Sequence, residues 1–299
     1  MKRTMLIFCF VICGVRLYAC DICGCGAANY YWGILPQFHK SFVGLRYRTQ
    51  SFDSHLGLHP SLATSELFQT AELWGRYYVS PRWQVVAFVP YHVNRQTTTT
   101  GIKYLDGVGD IPVIANYQLF STSAEVLRKT NHQVWVGGGV KLPTGRHRFE
   151  DNTAQVANPN FQLGTGSVDF MVNTWYTLRH GRLGFTTDAT LRLATANQQQ
   201  YRFGHRINGS ASVFYVQQIK KVGIMPNTGL FVEAAQRNRE KKIEIADTGG
   251  AATFFTAGLE GYAGSFAFGL SYQKPARQAL AEGRIKAHDR WAAHVTWMF

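Results

Sequence analysis

Charge is scarce in this chain. Asp, Glu, Lys and Arg make up 16% of its 299 residues, against about 25% in ordinary soluble domains. Beyond the amino end there is no uninterrupted apolar run of about 18 residues, the length that crosses a bilayer as a helix. The mean hydropathy of −0.15 is also too polar for a helical membrane protein. Linkers, low-complexity tracts and heptad repeats are all missing. No groove-reading or base-stacking module accompanies the basic residues, which excludes nucleic acid as a partner. Cysteine is sparse: five in all, of which Cys9 and Cys13 fall within the first 19 residues.

What is abundant is aromatic residues, at 14%, and glycine, with 29. They recur in alternating runs, most plainly in Arg290-Trp291-Ala292-Ala293-His294-Val295-Thr296-Trp297-Met298-Phe299. Trp291, Ala293, Val295, Trp297 and Phe299 share one face, and Arg290, His294 and Thr296 the other. A period of two is that of a strand, whose successive side chains leave opposite faces. An aromatic outer face, a polar inner face and a final phenylalanine predict the closing strand of an outer-membrane β-barrel. Phe299 is then the expected insertion signal, read by the barrel-assembly machinery through this strand.

The amino end reads as a cleaved secretory signal over 1–19: Lys2 and Arg3, an apolar run from Met5 to Val15, then Leu17-Tyr18-Ala19 before Cys20. Arg16 departs from the usual pattern. Cleavage after Ala19 removes three cations and lowers the formal charge from +13 to +10, still strongly basic. Residues 20–40 form a Cys- and aromatic-rich segment expected in the periplasm, with Tyr30, Tyr31 and Trp32 ahead of the first strand. It is read either as a plug reaching into the lumen or as an anchor at the membrane interface.

Residues 41–299 are expected to form an all-β, transmembrane, antiparallel up-and-down barrel of about 12 strands. The predicted strands are 41–53, 66–79, 82–95, 107–120, 132–145, 165–179, 182–196, 204–219, 223–237, 251–263, 264–275 and 286–299. Tight turns at Ser80-Pro81, His180-Gly181, Lys220-Lys221-Val222 and Ala263-Gly264 alternate with longer polar loops at 54–65, 96–106, 146–164, 197–203, 238–250 and 276–285. The connection 121–131 is longer than the scheme requires. Short periplasmic turns, long outer loops and an even strand count are the bacterial pattern, and place both chain ends in the periplasm. A soluble sandwich or propeller also alternates, but does not explain the aromatic outer faces, the alternating loop lengths and the terminal phenylalanine.

Three stretches carry a family resemblance: Gly107-Val108-Gly109-Asp110-Ile111, Lys141-Leu142-Pro143-Thr144-Gly145 and Leu163-Gly164-Thr165-Gly166-Ser167-Val168-Asp169. They resemble landmarks of outer-membrane transporters of the phenol meta-pathway degradation type, a group distantly similar to the long-chain fatty-acid channels. The resemblance spans about residues 40–299. The Cys20-Asp21-Ile22-Cys23-Gly24-Cys25 start is similar to a CDxCGC subgroup of outer-membrane proteins from Bacteroidetes-type bacteria. The resemblance implies passage of small, often apolar molecules across the outer membrane.

Cys20, Cys23 and Cys25 have the spacing and softness to hold Cu(I) or Zn(II). Two further readings stand beside metal capture. Cys20 follows a lipobox-like Leu17-Tyr18-Ala19 and so suits a lipid anchor. A disulfide would pair two of the three thiols. On the predicted inner faces Arg46, Arg48, Arg76, Lys141, Arg192, Arg237 and Arg290 oppose Glu72, Asp110, Asp169, Asp188, Glu233 and Glu260. Balanced charges in a confined space must be paired or hydrated, so a narrow or gated path for a small-molecule solute is expected. Lys103, Arg146, Arg148, Arg202, Arg206, Lys241 and Lys242 are assigned to the long-loop side, where they would meet membrane lipid and lipopolysaccharide phosphates. Catalysis is not expected, and a lipid-active barrel enzyme is kept only as a second alternative. His59-Pro60-Ser61 sits in a predicted loop with nothing to fix a nucleophile–base contact, and His92 and His294 are read as hydrogen-bonded filler.

Overall fold

The computed structural model describes residues 40–56, 62–122, 130–147 and 161–299. Twelve long strands follow one another: β1 (Phe42–Ser54), β2 (Thr64–Ser80), β3 (Trp83–Thr98), β4 (Gly101–Val108 and, after a break at Gly109-Asp110, Ile111–Ser121), β5 (Thr130–Leu142), β6 (Asp169–His180), β7 (Leu183–Leu193), β8 (Arg206–Tyr215), β9 (Val222–Ala235), β10 (Gly250–Ala263), β11 (Phe266–Leu280) and β12 (Arg290–Met298). Each pairs antiparallel with its sequence neighbours. β12 closes the ring on β1, with Phe42 opposite Met298 and Thr49 opposite Trp291. Around the ring every strand therefore has two neighbours, and Gly101–Val108, rising beyond the ring, pairs on one side alone.

Strands form here because β-branched and aromatic residues alternate with polar ones. The alternation sorts by face. Leu45, Tyr47, Phe170, Leu191, Leu193, Val213, Phe268, Leu270, Trp291, Val295 and Trp297 are exposed on the outside. Arg46, Glu72, Asn94, Asp169, Asn173, Thr190, Asn208 and Arg290 are buried inside. The inverted surface suits hydrocarbon around the barrel and polar contacts within it. No helix among the described residues is long and apolar enough to cross a membrane.

Turns at Pro81-Arg82, Gly181-Arg182, Lys220-Lys221 and Gly264-Ser265 close one end. Gly181 (φ 58°) and Gly264 (φ 59°) sit in the left-handed region, where a Cβ would be strained. Phe42 and Met298 lie at this same short-turn end. At the long-loop end β3 and the first part of β4 rise as a hairpin, Tyr91 facing Val108 and Thr98 facing Gly101. The expected loop 96–106 is thus mostly strand, joined by a turn at Thr99-Thr100. Its alternation is broken, because Asp106 shares the exposed face of Ile102, Tyr104 and Val108 while Leu105 on the other face packs against the aromatic cluster below. Likewise β11 runs on through the expected loop 276–285 to Leu280, accommodating a bulge where Thr253 and Phe254 face Arg277 and Pro275.

The interior is not uniformly polar, as the inner-face reading implied. Near the short-turn end Phe42 packs edge-on to Trp74 at 4.6 Å, Trp74 stacks on Phe88 at 6.2 Å, and Trp135 stacks on Trp175 at 5.4 Å. Near the long-loop end Phe52, Phe68, Phe161, Phe231 and Phe254 cluster with Leu280 and Ile285. Inward aromatics let each end of the lumen be narrowed without burying unpaired charge.

Candidate functional site: the lumen

The family-like stretches converge. Gly109-Asp110 interrupts β4, Lys141 is the last residue but one of β5, and residues 161–168 lead into β6 at Asp169. Asp110 Oδ1 accepts from the Gly145 backbone N–H at 3.0 Å, and Oδ2 accepts from the Thr165 N–H at 2.9 Å, the Thr165 hydroxyl at 3.0 Å and Lys141 Nζ. Lys141 also donates to the Ser167 carbonyl at 3.0 Å and stands 3.3 Å from Asp169. Ser167 Oγ donates to Asp169 at 2.9 Å, and Arg192 Nε lies 3.6 Å from the same carboxylate. Three sequence segments are knotted around one ammonium and two carboxylates. Paired and hydrogen-bonded, these charges tolerate burial; separated, they would not.

Beside this cluster His147 docks one loop onto another. Asn197 Oδ1 accepts from the backbone N–H groups of Gln199 and Tyr201, at 3.1 and 3.0 Å. Its amide nitrogen must therefore donate to His147 Nε2, at 2.9 Å. His147 Nδ1 then carries the proton and donates to the Gly164 carbonyl at 3.1 Å. Burial, the leading cause, holds this imidazole below its ordinary pKa.

A charged belt crosses the middle of β10, β11, β12, β1 and β2. Glu72 and Arg46 are direct cross-strand partners, and Arg46 Nε donates to Glu72 at 2.8 Å. Arg48 reaches the other Glu72 oxygen at 3.1 Å. On the far side of Arg46 lie His294 and, across Gly269, Glu260, with 3.2 Å between His294 Nε2 and the carboxylate. A Cβ at Gly269 would overlap His294 and press on Glu260, so this glycine lets the two meet over bare backbone. Above the belt Arg290 grips Glu233 at 2.6 and 3.2 Å. The guanidiniums also lie against rings, Arg46 4.9 Å from the Trp74 centroid and Arg290 3.9 Å from that of Phe254.

Between these groups lies a small chamber, lined by Arg46, Arg48, Thr70, Glu260, Arg290 and His294 with the rings of Phe68, Trp74 and Phe231. It rests against Gly269, Ser271 and Ala292, whose small inward side chains leave the β11–β12 wall bare.

The geometry fits solved barrels from bacterial outer membranes. An outer membrane channel from Pseudomonas putida F1 superposes with a TM-score of 0.61 over 87% of this chain and 96% of that one, at 13% identity. The transport unit of the autotransporter AIDA-I from Escherichia coli gives 0.50 over 91% and 94%, at 9% identity. The fold is that of a bacterial outer-membrane barrel. No family model matches the sequence, and no curated protein does.

Within that barrel, Arg46, Arg48, Glu72, Arg76, Asp110, Lys141, Asp169, Asp188, Arg192, Glu233, Glu260 and Arg290 all face inward. They form separate groups rather than one site. Arg76 sits at the short-turn end, 4.9 Å from the Phe42 ring, donating to the Lys40 carbonyl at 2.9 Å. Asp188 bonds Ser210 and is otherwise set among neutral groups. Arg237 is a correction. β9 stops at Ala235, and Arg237 lies in the following loop, paired with Glu282. Arg206 is the opposite correction, for it belongs to β8 and is buried opposite Arg192 rather than lying in a loop. His92 is buried filler, 3.0 Å from the Thr70 hydroxyl.

Cys20, Cys23, Cys25, His59, Ser61 and Arg148 lie outside the described residues. Among those described, no three His, Cys, Asp or Glu side chains are placed to hold a metal ion. Sequence reasoning missed Glu66, which is buried and accepts from Ser54 at 2.8 Å and Gln96 at 3.1 Å. Its parity with Glu72 along β2 was the available signal.

Proposed function

We propose that this barrel is an outer-membrane channel that passes small molecules along a narrow path lined by side chains. The observation that carries the reading is the chamber: between the aromatic clusters near its two ends, the ring of strands leaves a small space bounded by charged and aromatic side chains. The Pseudomonas putida barrel of the same fold is a channel, which supports the assignment. Phe68, Trp74 and Phe231 give the chamber apolar walls beside its ion pairs, and so favour small solutes with an apolar part. The short-turn end, with Phe42 and Met298, faces the periplasm in this reading. The long-loop end meets lipopolysaccharide through Lys103, Arg146, Arg202, Lys241 and Lys242.

Reconstituted into liposomes, the purified protein should admit small solutes in swelling assays and show discrete conductance steps in planar bilayers. Failure to pass any small solute would sink the reading. A second reading rests on the thiol spacing alone, with Cys20, Cys23 and Cys25 capturing copper or zinc; elemental analysis of wild type against the triple Cys→Ser variant tests it.

A further inference from the structure

The charged belt crosses β10, β11, β12, β1 and β2, and on the intervening strands, from β3 to β9, a row of neutral amides and hydroxyls runs from partner to partner. Successive cross-strand partners join Gln84 to Asn116, Asn116 to Gly137, Gly137 to Asn173, Asn173 to Thr190, Thr190 to Asn208 and Asn208 to Glu233. Because barrel strands are staggered, this single row climbs as it goes round. Gln84 is the second residue of β3, beside its short turn, whereas Glu233 is third from the far end of β9. Glu233 holds Arg290, which lines the chamber. The row thus climbs from the short-turn end to Glu233, the partner of Arg290 in the chamber wall.

Gln84, Asn116, Asn173, Thr190 and Asn208 are each at most 5% exposed. Gly137 lets the amides on either side meet above it, Asn173 Nδ2 donating to Asn116 Oδ1 at 2.8 Å. Six further side-chain polar atoms of the row have no protein partner among the described residues: both amide atoms of Gln84, Asn116 Nδ2, Asn173 Oδ1, Thr190 Oγ1 and Asn208 Nδ2. Buried polar groups in native proteins nearly always find partners, so six donor and acceptor positions in sequence call for mobile ones. The row is flanked by Arg192 and Arg206 on one side and Asp188 on the other, and contains no charge until Glu233.

We propose that this row is a hydrogen-bonding track for small uncharged polyhydroxylated solutes moving between the chamber and the short-turn mouth. It deepens the channel reading and rests on it. A neutral polyol exchanges its water shell for alternating donors and acceptors along the wall, as pore linings do for their permeants. A solute with neither donors nor acceptors cannot satisfy them.

The test is swelling of proteoliposomes in isosmotic erythritol, with potassium chloride conductance in planar bilayers measured alongside. Wild type should admit erythritol. The Asn116→Leu/Asn173→Leu pair, similar in side-chain size, should slow erythritol entry at least fivefold. Thr190→Val, which removes one hydroxyl without changing shape, should slow it two- to threefold. Heat-modifiable gel migration establishes that each variant is a folded barrel, and Thr190→Val serves should the double variant not fold. If wild type conducts ions but excludes erythritol, or if the folded variants admit it at the wild-type rate, the track is refuted while the channel stands. If wild type passes neither ions nor erythritol, both readings fall together.

Discussion

Replacing Asp110 by alanine is the sharpest perturbation of the long-loop end. The substitution removes the acceptor for two backbone N–H groups, one hydroxyl and the Lys141 ammonium. Hydrogen bonds to a charged group contribute about 1.5–3 kcal/mol each, though bonds sharing one acceptor group do not add. Stripping a buried pair of one partner costs about 3–5 kcal/mol, because the other charge is left uncompensated. Lys141 keeps Asp169 at 3.3 Å, so the expectation is the lower part of that range, about 3 kcal/mol. Removing both charges should cost less than the sum of the single changes: Asp110→Ala in a Lys141→Met background is expected to lose about 1–2 kcal/mol less than Asp110→Ala alone. Urea unfolding in lipid, followed by tryptophan fluorescence, measures each corner of the cycle. A cost for Asp110→Ala below about 1 kcal/mol, or strict additivity with Lys141→Met, would refute the claim that this cluster ties the three segments.

Other expectations follow from the same geometry. Gly269→Val places a branched side chain where His294 and Glu260 meet; the overpacking should destabilise the barrel by about 1–3 kcal/mol, visible as a lower urea midpoint. Arg290→Met leaves Glu233 without its two guanidinium bonds and should cost about 3–5 kcal/mol. His147 titrates below its ordinary value because it is buried, so the undocked loop takes up a proton that the docked one refuses. The docked state is therefore fully stabilised above about pH 6.5 and weakens as pH falls below that value. Limited proteolysis of the 143–168 loop should accelerate between pH 7.5 and 5.5 in wild type and not in His147→Gln; equal acceleration in both would exclude this histidine as the cause.

How much of this was legible in the sequence depends on which faces of a strand see different environments. Where one face meets hydrocarbon and the other the lumen, as in Leu183–Leu193 or Arg290–Met298, the period of two fixes strand, face and parity together. Gly101–Val108 escapes because Asp106 interrupts its apolar face and Leu105 its polar one, and Arg237 is misplaced because polarity does not mark where a strand ends. The inward charges could be named from parity, but not their partners: Glu260 reaches His294 only across Gly269, and Lys141 reaches Asp110 only through the break in β4. The neutral row was invisible for a simpler reason. Asn116, Asn173 and Asn208 are unremarkable singly, and only register makes them neighbours.

The join between Phe42 and Met298 has a consequence for biogenesis. It unites positions about 250 residues apart, so the ring cannot shut until the whole sequence has been delivered, and loop entropy makes so distant a meeting slow. Until then the first and last ribbons both carry naked backbone donors and acceptors, which invite adhesion to other chains. Keeping those two margins from strangers until they meet is the physical problem that closure of such a cylinder has to solve.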